Sequence, residues 1–248
     1  MPDETSTVPS AQATDPRSLV IMAGLTVVAG AVGAITFLTM GHLFAALTTG
    51  NLLFLSFALA GEGQLPVARP AAALVAFACG AAATAAASRR FDSRGRGWLS
   101  AALVSESLLL GAAGAWALWR HGTGSLTDDP DLGVIAVVAF AMGMRAVTVM
   151  LVGVSDMPTL LAQTSMVKLI AEVVTRPHAL HGVDTRQRRV RMRLTATVGG
   201  MVVGGVVGTL MLPWGTGRAL LAVAAAVLAL SVLQLLAGRP SASDMRSA

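Results

Sequence analysis

The chain has 248 residues, of which 54% are hydrophobic and 12% are charged, and its mean hydropathy is +0.70. Ordinary soluble domains have about 45–50% apolar and about 25% charged residues, so this composition excludes a soluble globular domain and a disordered chain. The formal net charge of +5 comes from arginines between apolar stretches. Arginines placed there set membrane topology, so the charge does not indicate nucleic-acid binding.

Eight apolar segments predict an all-α, polytopic membrane protein, because about 20 apolar residues in a helix span the core of a bilayer. Segments one to eight are residues 19–40, 43–60, 71–88, 97–119, 132–154, 157–175, 194–213 and 217–238. Together they form one transmembrane domain over residues 19–238. The polar residues 1–18 and 239–248 are tails at its two ends.

Two basic loops constrain how many of these segments cross the membrane. Residues 89–96 contain four arginines and one aspartate, and residues 176–193 contain six arginines and one aspartate. Loops rich in arginine stay on the cytoplasmic side, so both are expected there. Three segments lie between the two loops, and three full crossings would place the loops on opposite sides. We therefore expect one of the three segments not to cross.

A weak internal repeat indicates which segments fail to cross. An offset of 114 aligns residues 37–61 with residues 151–175 and divides the chain into two halves of four segments, residues 19–119 and 132–238. Their loops have opposite charge bias, which is typical of inverted repeats. The consistent solution has segments two and six re-entrant or broken, six crossing helices and both termini cytoplasmic in a cell membrane. The alternative is seven or eight full crossings with one basic loop outside.

The centres of segments two and six carry the polar residues that could line a solute path. These are Thr48, Thr49, Gly50 and Asn51 in the first half and Gln163, Thr164 and Ser165 in the second. Interrupted segments at equivalent places in two halves are typical of transporter binding sites, so we expect the two groups to meet near the middle of the protein. The alternative is that these side chains satisfy backbone groups within the bundle and bind nothing.

Four ionisable residues fall within apolar segments, where an uncompensated charge is costly. Glu106 and Arg145 each lie about nine or ten residues from the cytoplasmic ends of segments four and five, which is close to the bilayer centre. We predict that they form an ion pair or share a polar cavity. The alternative is that each extends separately to the surface or finds its own backbone partner. Lys168 and Glu172, four residues apart on segment six, either line a cavity or extend to the membrane surface.

Other motifs favour structural roles. Asp156 precedes Pro158 and fits a helix N-cap. Small residues recur every four positions on segment seven and favour close helix packing, namely Gly200, Gly204 and Gly208. No metal site, cofactor site or catalytic group is expected: His178, His181 and Asp184 have no obvious fourth ligand beside them, and no nucleophile–base motif is present.

Two stretches resemble the signatures of the YoaK family of bacterial membrane proteins. They are "GHLFAALTTGNLLFLSFALAG" at residues 41–61 and "AFAMGMRAVTVMLVGVSDMPTLLAQTS" at residues 139–165, and the resemblance extends over about residues 19–236. The family usually has Gln-Asn where this chain has Arg145 and Ala146, and often an acidic residue where it has Gly33. The resemblance implies a helical membrane fold and, loosely, a small-molecule permease.

The leading hypothesis for function is a small-solute permease or channel-like transporter, with the lipid bilayer as its surroundings. The alternative is a membrane interaction or assembly protein that transports nothing. A homo-oligomer is compatible with either hypothesis. A water-accessible cavity reaching Asn51 would favour the first, whereas a solid bundle with its polar groups mutually satisfied would favour the second. An intramembrane enzyme is not expected.

Overall fold

A computed structural model describes residues 16–62, 66–90, 96–121, 131–152, 166–167, 170 and 185–237. Seven α-helices and one short 3-10 turn, with no strand, make up these ranges. The helices are α1 (Pro16–Thr39), α2 (Thr48–Leu59), α3 (Ala68–Ser88), α4 (Arg96–His121), α5 (Leu132–Val152), α6 (Thr185–Leu210) and α7 (Thr216–Ala237), and the turn is Leu212–Trp214. The all-α prediction is confirmed.

Six of the described helices are long and apolar enough to cross a membrane, and they coincide with the six segments predicted to cross. Their apolar spans are Val20–Thr39, Ala68–Ser88, Gly97–Arg120, Leu132–Leu151, Met192–Trp214 and Thr216–Leu236. Helix α1 is the most central, because 67% of its span is buried against 17% of the α3 span. The chain is therefore a multi-pass helical membrane protein.

Two pairs of helices run parallel and touch through glycine. A Cβ atom added at Gly204 would overlap the carbonyl oxygen of Val27, and one added at Gly30 would overlap that of Met201. The same relation joins α3 to α5, because Gly143 faces the Phe77 carbonyl and Gly80 faces that of Phe140. In all four cases the carbonyl lies three residues before the partner glycine. Only glycine permits backbones to approach this closely.

The remaining contacts fix the direction of each helix. Ser107 donates a hydrogen bond to the Ala224 carbonyl (2.8 Å), and Ser231 donates one to the Ser100 carbonyl (3.2 Å), so α4 and α7 are antiparallel. Helices α4 and α5 are also antiparallel, since their contacts near the loop between them, at Gly133, come from the C-terminal part of α4. The chain reverses direction between α6 and α7 at the turn Leu212–Trp214.

These directions place both basic regions at one end of the bundle. The starts of α1, α4 and α6 and the ends of α3, α5 and α7 share that end, which we call the basic end. It contains Arg89 and Arg90 after α3, and the arginine-rich first turns of α6. The chain leaves α5 and enters α6 at this end, whereas α2 joins α1 to α3 at the opposite end. The connection through α2 therefore has no net crossing.

The helix of segment two starts later than predicted. Residues 43–47 were expected to be part of the segment, but α2 begins only at Thr48. Gly41 and His42 have positive φ values of 80° and 60°, which stop α1 and turn the chain back. A helix of 12 residues is about 18 Å long, too short to cross a hydrocarbon core of about 30 Å.

Candidate functional site

A buried ion pair lies where α1, α4 and α5 meet. The Arg145 Nε donates a hydrogen bond of 2.9 Å to Glu106 Oε2, and Arg145 Nη2 contacts Glu106 Oε1. Glu106 is 1% exposed and Arg145 is 2% exposed. Each carboxylate oxygen thus faces one nitrogen of the guanidinium, and the Nε contact is the hydrogen bond. The ion pair predicted from the depth of these residues is thus present, rather than two charges that extend separately to the surface.

A backbone carbonyl of α1 holds the same arginine. Arg145 Nη1 donates a hydrogen bond of 3.1 Å to the Leu25 carbonyl oxygen. That oxygen has a second lone pair to offer beside its bond within the helix. Among the described residues, Glu106 has Arg145 as its only hydrogen-bond or ion-pair partner. Arg145 is therefore anchored from two helices, whereas Glu106 is anchored from one.

Apolar side chains surround the pair. Leu103 and Leu110 lie one turn before and after Glu106 on α4, and Met142 lies one turn before Arg145 on α5; each is at most 2% exposed. The two opposite charges cancel, so this part of the core has no net charge. A buried pair of this kind contributes little to stability, because desolvation offsets the attraction between the charges.

The Thr-Gly-Asn stretch fastens the loop that precedes α2. Asn51 is 2% exposed. Its Oδ1 accepts a 3.0 Å hydrogen bond from the Phe44 amide, and its Nδ2 donates to the Phe44 carbonyl oxygen. A Cβ atom at Gly50 would lie 3.0 Å from the Phe44 ring, so glycine makes room for that ring. Thr48 is half-buried and Thr49 is exposed.

Other contacts hold the loop against α1. The Thr36 hydroxyl donates to the Val32 carbonyl (2.9 Å) and accepts a hydrogen bond from the Ala45 amide (3.3 Å). The Phe44 ring stacks on Phe37 with centroids 4.7 Å apart. Non-helical backbone is tolerated at membrane depth when protein groups satisfy it in this way.

A small pocket opens beside this loop at the end opposite the basic end. It is lined by Gly41, His42, Leu43, Phe54, Pro66, Arg69 and Pro70, and it has room for about one water molecule. It does not reach the Glu106–Arg145 pair, whose residues are absent from its lining.

The second half of the predicted solute path lies outside the described residues. This applies to Gln163, Thr164, Ser165, Lys168, Glu172 and Asp156, and to the His178 and His181 pair. The predicted meeting of Asn51 with Gln163 therefore stays a prediction. On segment seven, Gly204 and Gly208 contact α1 backbone, and a Cβ at Gly200 would lie 3.4 Å from Thr26.

Sequence reasoning missed three groups at these sites. The Leu25 carbonyl is a backbone atom in an apolar stretch, and no side-chain pattern marks it. Thr36 resembles any threonine bonded within its helix. Phe44 could have been suspected, because an aromatic residue shortly before a Gly-Asn pair needs both the space and the backbone partners that this pair provides.

Comparison with known proteins places the chain in a family. Residues 21–233 match the family described as protein of unknown function (DUF1275), and the chain belongs to that family. No match is found among curated proteins or among solved structures.

Proposed function

We propose that this member of the DUF1275 family is a carrier for a small solute, built as an inverted repeat, with its basic end on the cytoplasmic side of the cell membrane. The YoaK resemblance, with its permease-like description, agrees with this proposal. The observation that supports it is a set of helix contacts that recur between corresponding helices of the two halves.

The helix contacts support the inverted repeat. If the two halves are exchanged, α1 takes the place of α5 and α6 takes the place of α3, so that one parallel pair becomes the other. Gly30 and Gly204 then take the places of Gly143 and Gly80. Gly80 and Gly204 differ by 124 positions. The serine bonds between α4 and α7 follow the same offset: Ser107 corresponds to Ser231, and each donates to a carbonyl that the offset also relates.

The connections between these sets support a carrier. Segment two has no net crossing, and α5 ends at the same basic end at which α6 begins. Inverted repeats with interrupted segments at equivalent places form the central sites of many secondary transporters. The ion pair near the bundle centre adds support, because ionisable groups inside a membrane are costly and commonly mark solute or ion pathways.

A second candidate is a membrane assembly protein without transport. It is favoured by the side chains of Asn51 and Arg145, which find their partners inside the bundle. It is also favoured by the size of the pocket beside the loop. The two candidates differ in one respect: only a carrier requires the two halves to move against each other.

A reversible cross-link between the halves tests this motion. A Cβ built at Gly111 of α4 lies 3.9 Å from the Cβ of Ala224 on α7, close to the mean separation of about 3.8 Å in disulfides. We would introduce Gly111→Cys and Ala224→Cys in a Cys79→Ala background and reconstitute the protein in lipid vesicles. Uptake would be measured for labelled sugars, amino acids, monocarboxylates and amines.

We expect at least one of these solutes to enter faster than into protein-free vesicles. Oxidation of the double-cysteine protein should then stop that uptake, and reduction should restore it. The Gly111→Cys single variant, which cannot form the cross-link, is the matched control and should be insensitive to the oxidant. Absence of uptake for every solute, or uptake that continues in the cross-linked protein, would overturn the carrier proposal in favour of the assembly protein.

A further inference from the structure

We propose that Arg145 is the binding site for a small monocarboxylate, and that this anion enters the site together with one proton, which neutralises Glu106. The inference rests on the proposed carrier function and names its substrate class and coupling ion. It is argued from the unequal anchoring of the two charges, from the charge balance of the core and from the shape of the guanidinium group.

The unequal anchoring identifies which partner can be replaced. Arg145 is held by Glu106 on α4 and by the Leu25 carbonyl on α1, at 2.9 Å and 3.1 Å. Glu106 has no second partner among the described residues. If the carboxylate leaves, the guanidinium stays in position through Leu25, with the Nε and Nη2 donors facing the vacated space.

The charge balance sets the charge of the ligand. The described parts of α1, α4, α5 and α7 place no ionisable side chain in the core around Glu106 except Arg145; Arg218 of α7 is exposed. The core is neutral with Glu106 ionised and Arg145 charged. It stays neutral in the loaded state only if one proton adds to the Glu106 carboxylate while one monovalent anion occupies Arg145. A dianion would leave a net charge buried at that depth, which is costly.

The geometry of the donors sets the shape of the ligand. The Nε and Nη2 donors of Arg145 form a planar fork that the two oxygens of Glu106 now occupy. A ligand carboxylate reproduces this arrangement, with one oxygen for each donor. The proton and the anion come from the same aqueous side and leave on the other, so the transported pair is electrically neutral.

Ligand-induced stabilisation of the purified protein tests the site without relying on transport. Pyruvate serves as the monocarboxylate probe and fumarate, which keeps both carboxylates ionised in weakly acidic buffer, as the dianion control. Thermal unfolding in detergent is followed in weakly acidic and weakly alkaline buffer. We expect pyruvate to raise the unfolding midpoint of the wild-type protein by about 5–10 °C at about 100 times its dissociation constant. The rise should occur in acidic buffer and shrink in alkaline buffer, because Glu106 must take up a proton.

Variants separate the two roles. Glu106→Gln imitates the protonated carboxyl, so pyruvate should stabilise it equally in both buffers. Arg145→Lys keeps the charge without the fork and should respond weakly, whereas Arg145→Gln should not respond. The wild-type pH comparison needs no variant and decides the matter even if Arg145→Gln fails to fold.

Two results would overturn the inference: stabilisation by fumarate equal to that by pyruvate, or no pH-dependent response to pyruvate in the wild-type protein. Its failure can be distinguished from failure of the carrier proposal. Uptake of an uncharged solute without any pyruvate response would leave the carrier and remove the anion site. Pyruvate stabilisation without uptake of any solute would leave the site and remove the carrier.

Discussion

The ion pair between Glu106 and Arg145 makes a quantitative prediction about stability. Replacing one member with glutamine leaves the other charge buried beside apolar side chains, since both residues are at most 2% exposed. Breaking a buried pair in this way typically costs about 3–5 kcal/mol. For a domain of this size each kcal/mol lowers the unfolding midpoint by about 2–4 °C, so each single variant should unfold about 6–20 °C earlier.

The double variant distinguishes a coupled pair from two independent charges. With Glu106→Gln and Arg145→Gln together no charge is left unpaired, so the loss should be well below the sum of the single losses. The assay is thermal unfolding in detergent for the wild type, both single variants and the double variant. Arg120→Gln is the matched control, because Arg120 pairs with Asp131 at 3.6 Å with 54% of its side chain exposed and should lose at most about 1 kcal/mol. Losses that add within about 0.5 kcal/mol would refute the coupling.

Three further predictions follow from the described contacts. Gly204→Val should cost about 1–3 kcal/mol of stability, because the new side chain meets the α1 backbone. Gly199→Val, at a position with open space, should change stability by less than about 0.5 kcal/mol. Equal losses of the two variants in thermal unfolding would contradict this. Asn51→Ala should lose about 1–3 kcal/mol, since the Phe44 backbone groups lose both bonds, and a loss no larger than that of an exposed substitution would argue against the fastening role. In a Cys79→Ala background, a cysteine at position 62 should react with an impermeant thiol reagent on intact cells, and one at Arg90 only after lysis; the reverse pattern would invert the proposed orientation.

Hydropathy was sufficient to predict the six long helices, because each presents about 20 apolar residues and the membrane requires little else of them. The pairing of Glu106 with Arg145 was also predictable. Their distances from the segment ends give their depth, and an isolated charge at that depth needs a partner. Both conclusions depend on one coordinate, the distance along the membrane normal, which sequence position determines directly.

Contacts made by backbone atoms were not predictable in this way. The turn at Gly41 and His42 depends on two positive φ values, and a histidine in an apolar stretch does not signal one. The sequence marked Asn51 as a polar residue in an interrupted segment, but it did not show which group the Asn51 side chain binds. The parallel pairing of α1 with α6 required knowing which glycines of α6 face α1. Gly199 and Gly205 were alternatives in the sequence, but a Cβ atom added at either would meet no atom within 4 Å.

The proposed repeat supplies an internal comparison for the ion pair. Gly30 and Gly143 correspond, so Arg145 of α5 is equivalent to Val32 of α1. The offset of 124 that relates Gly80 to Gly204 makes Glu106 of α4 equivalent to Leu230 of α7. At the equivalent place in the proposed repeat, between α1 and α7, two apolar residues stand where the site between α4 and α5 holds two charges; Val32 is fully buried there and Leu230 is half-buried.

The proposed repeat therefore predicts the outcome of placing these two apolar residues at the charged site. The double variant Glu106→Leu/Arg145→Val should be as stable as the wild type or up to about 4 kcal/mol more stable, because well-packed apolar residues avoid the desolvation of both charges. Thermal unfolding measures this, and the glutamine double variant controls for simple loss of charge. The apolar variant should at the same time lose its response to pyruvate. A charge pair that the bundle can replace without loss of stability is retained for what it binds, whereas a large loss of stability in the apolar variant would mean that the pair serves the fold itself.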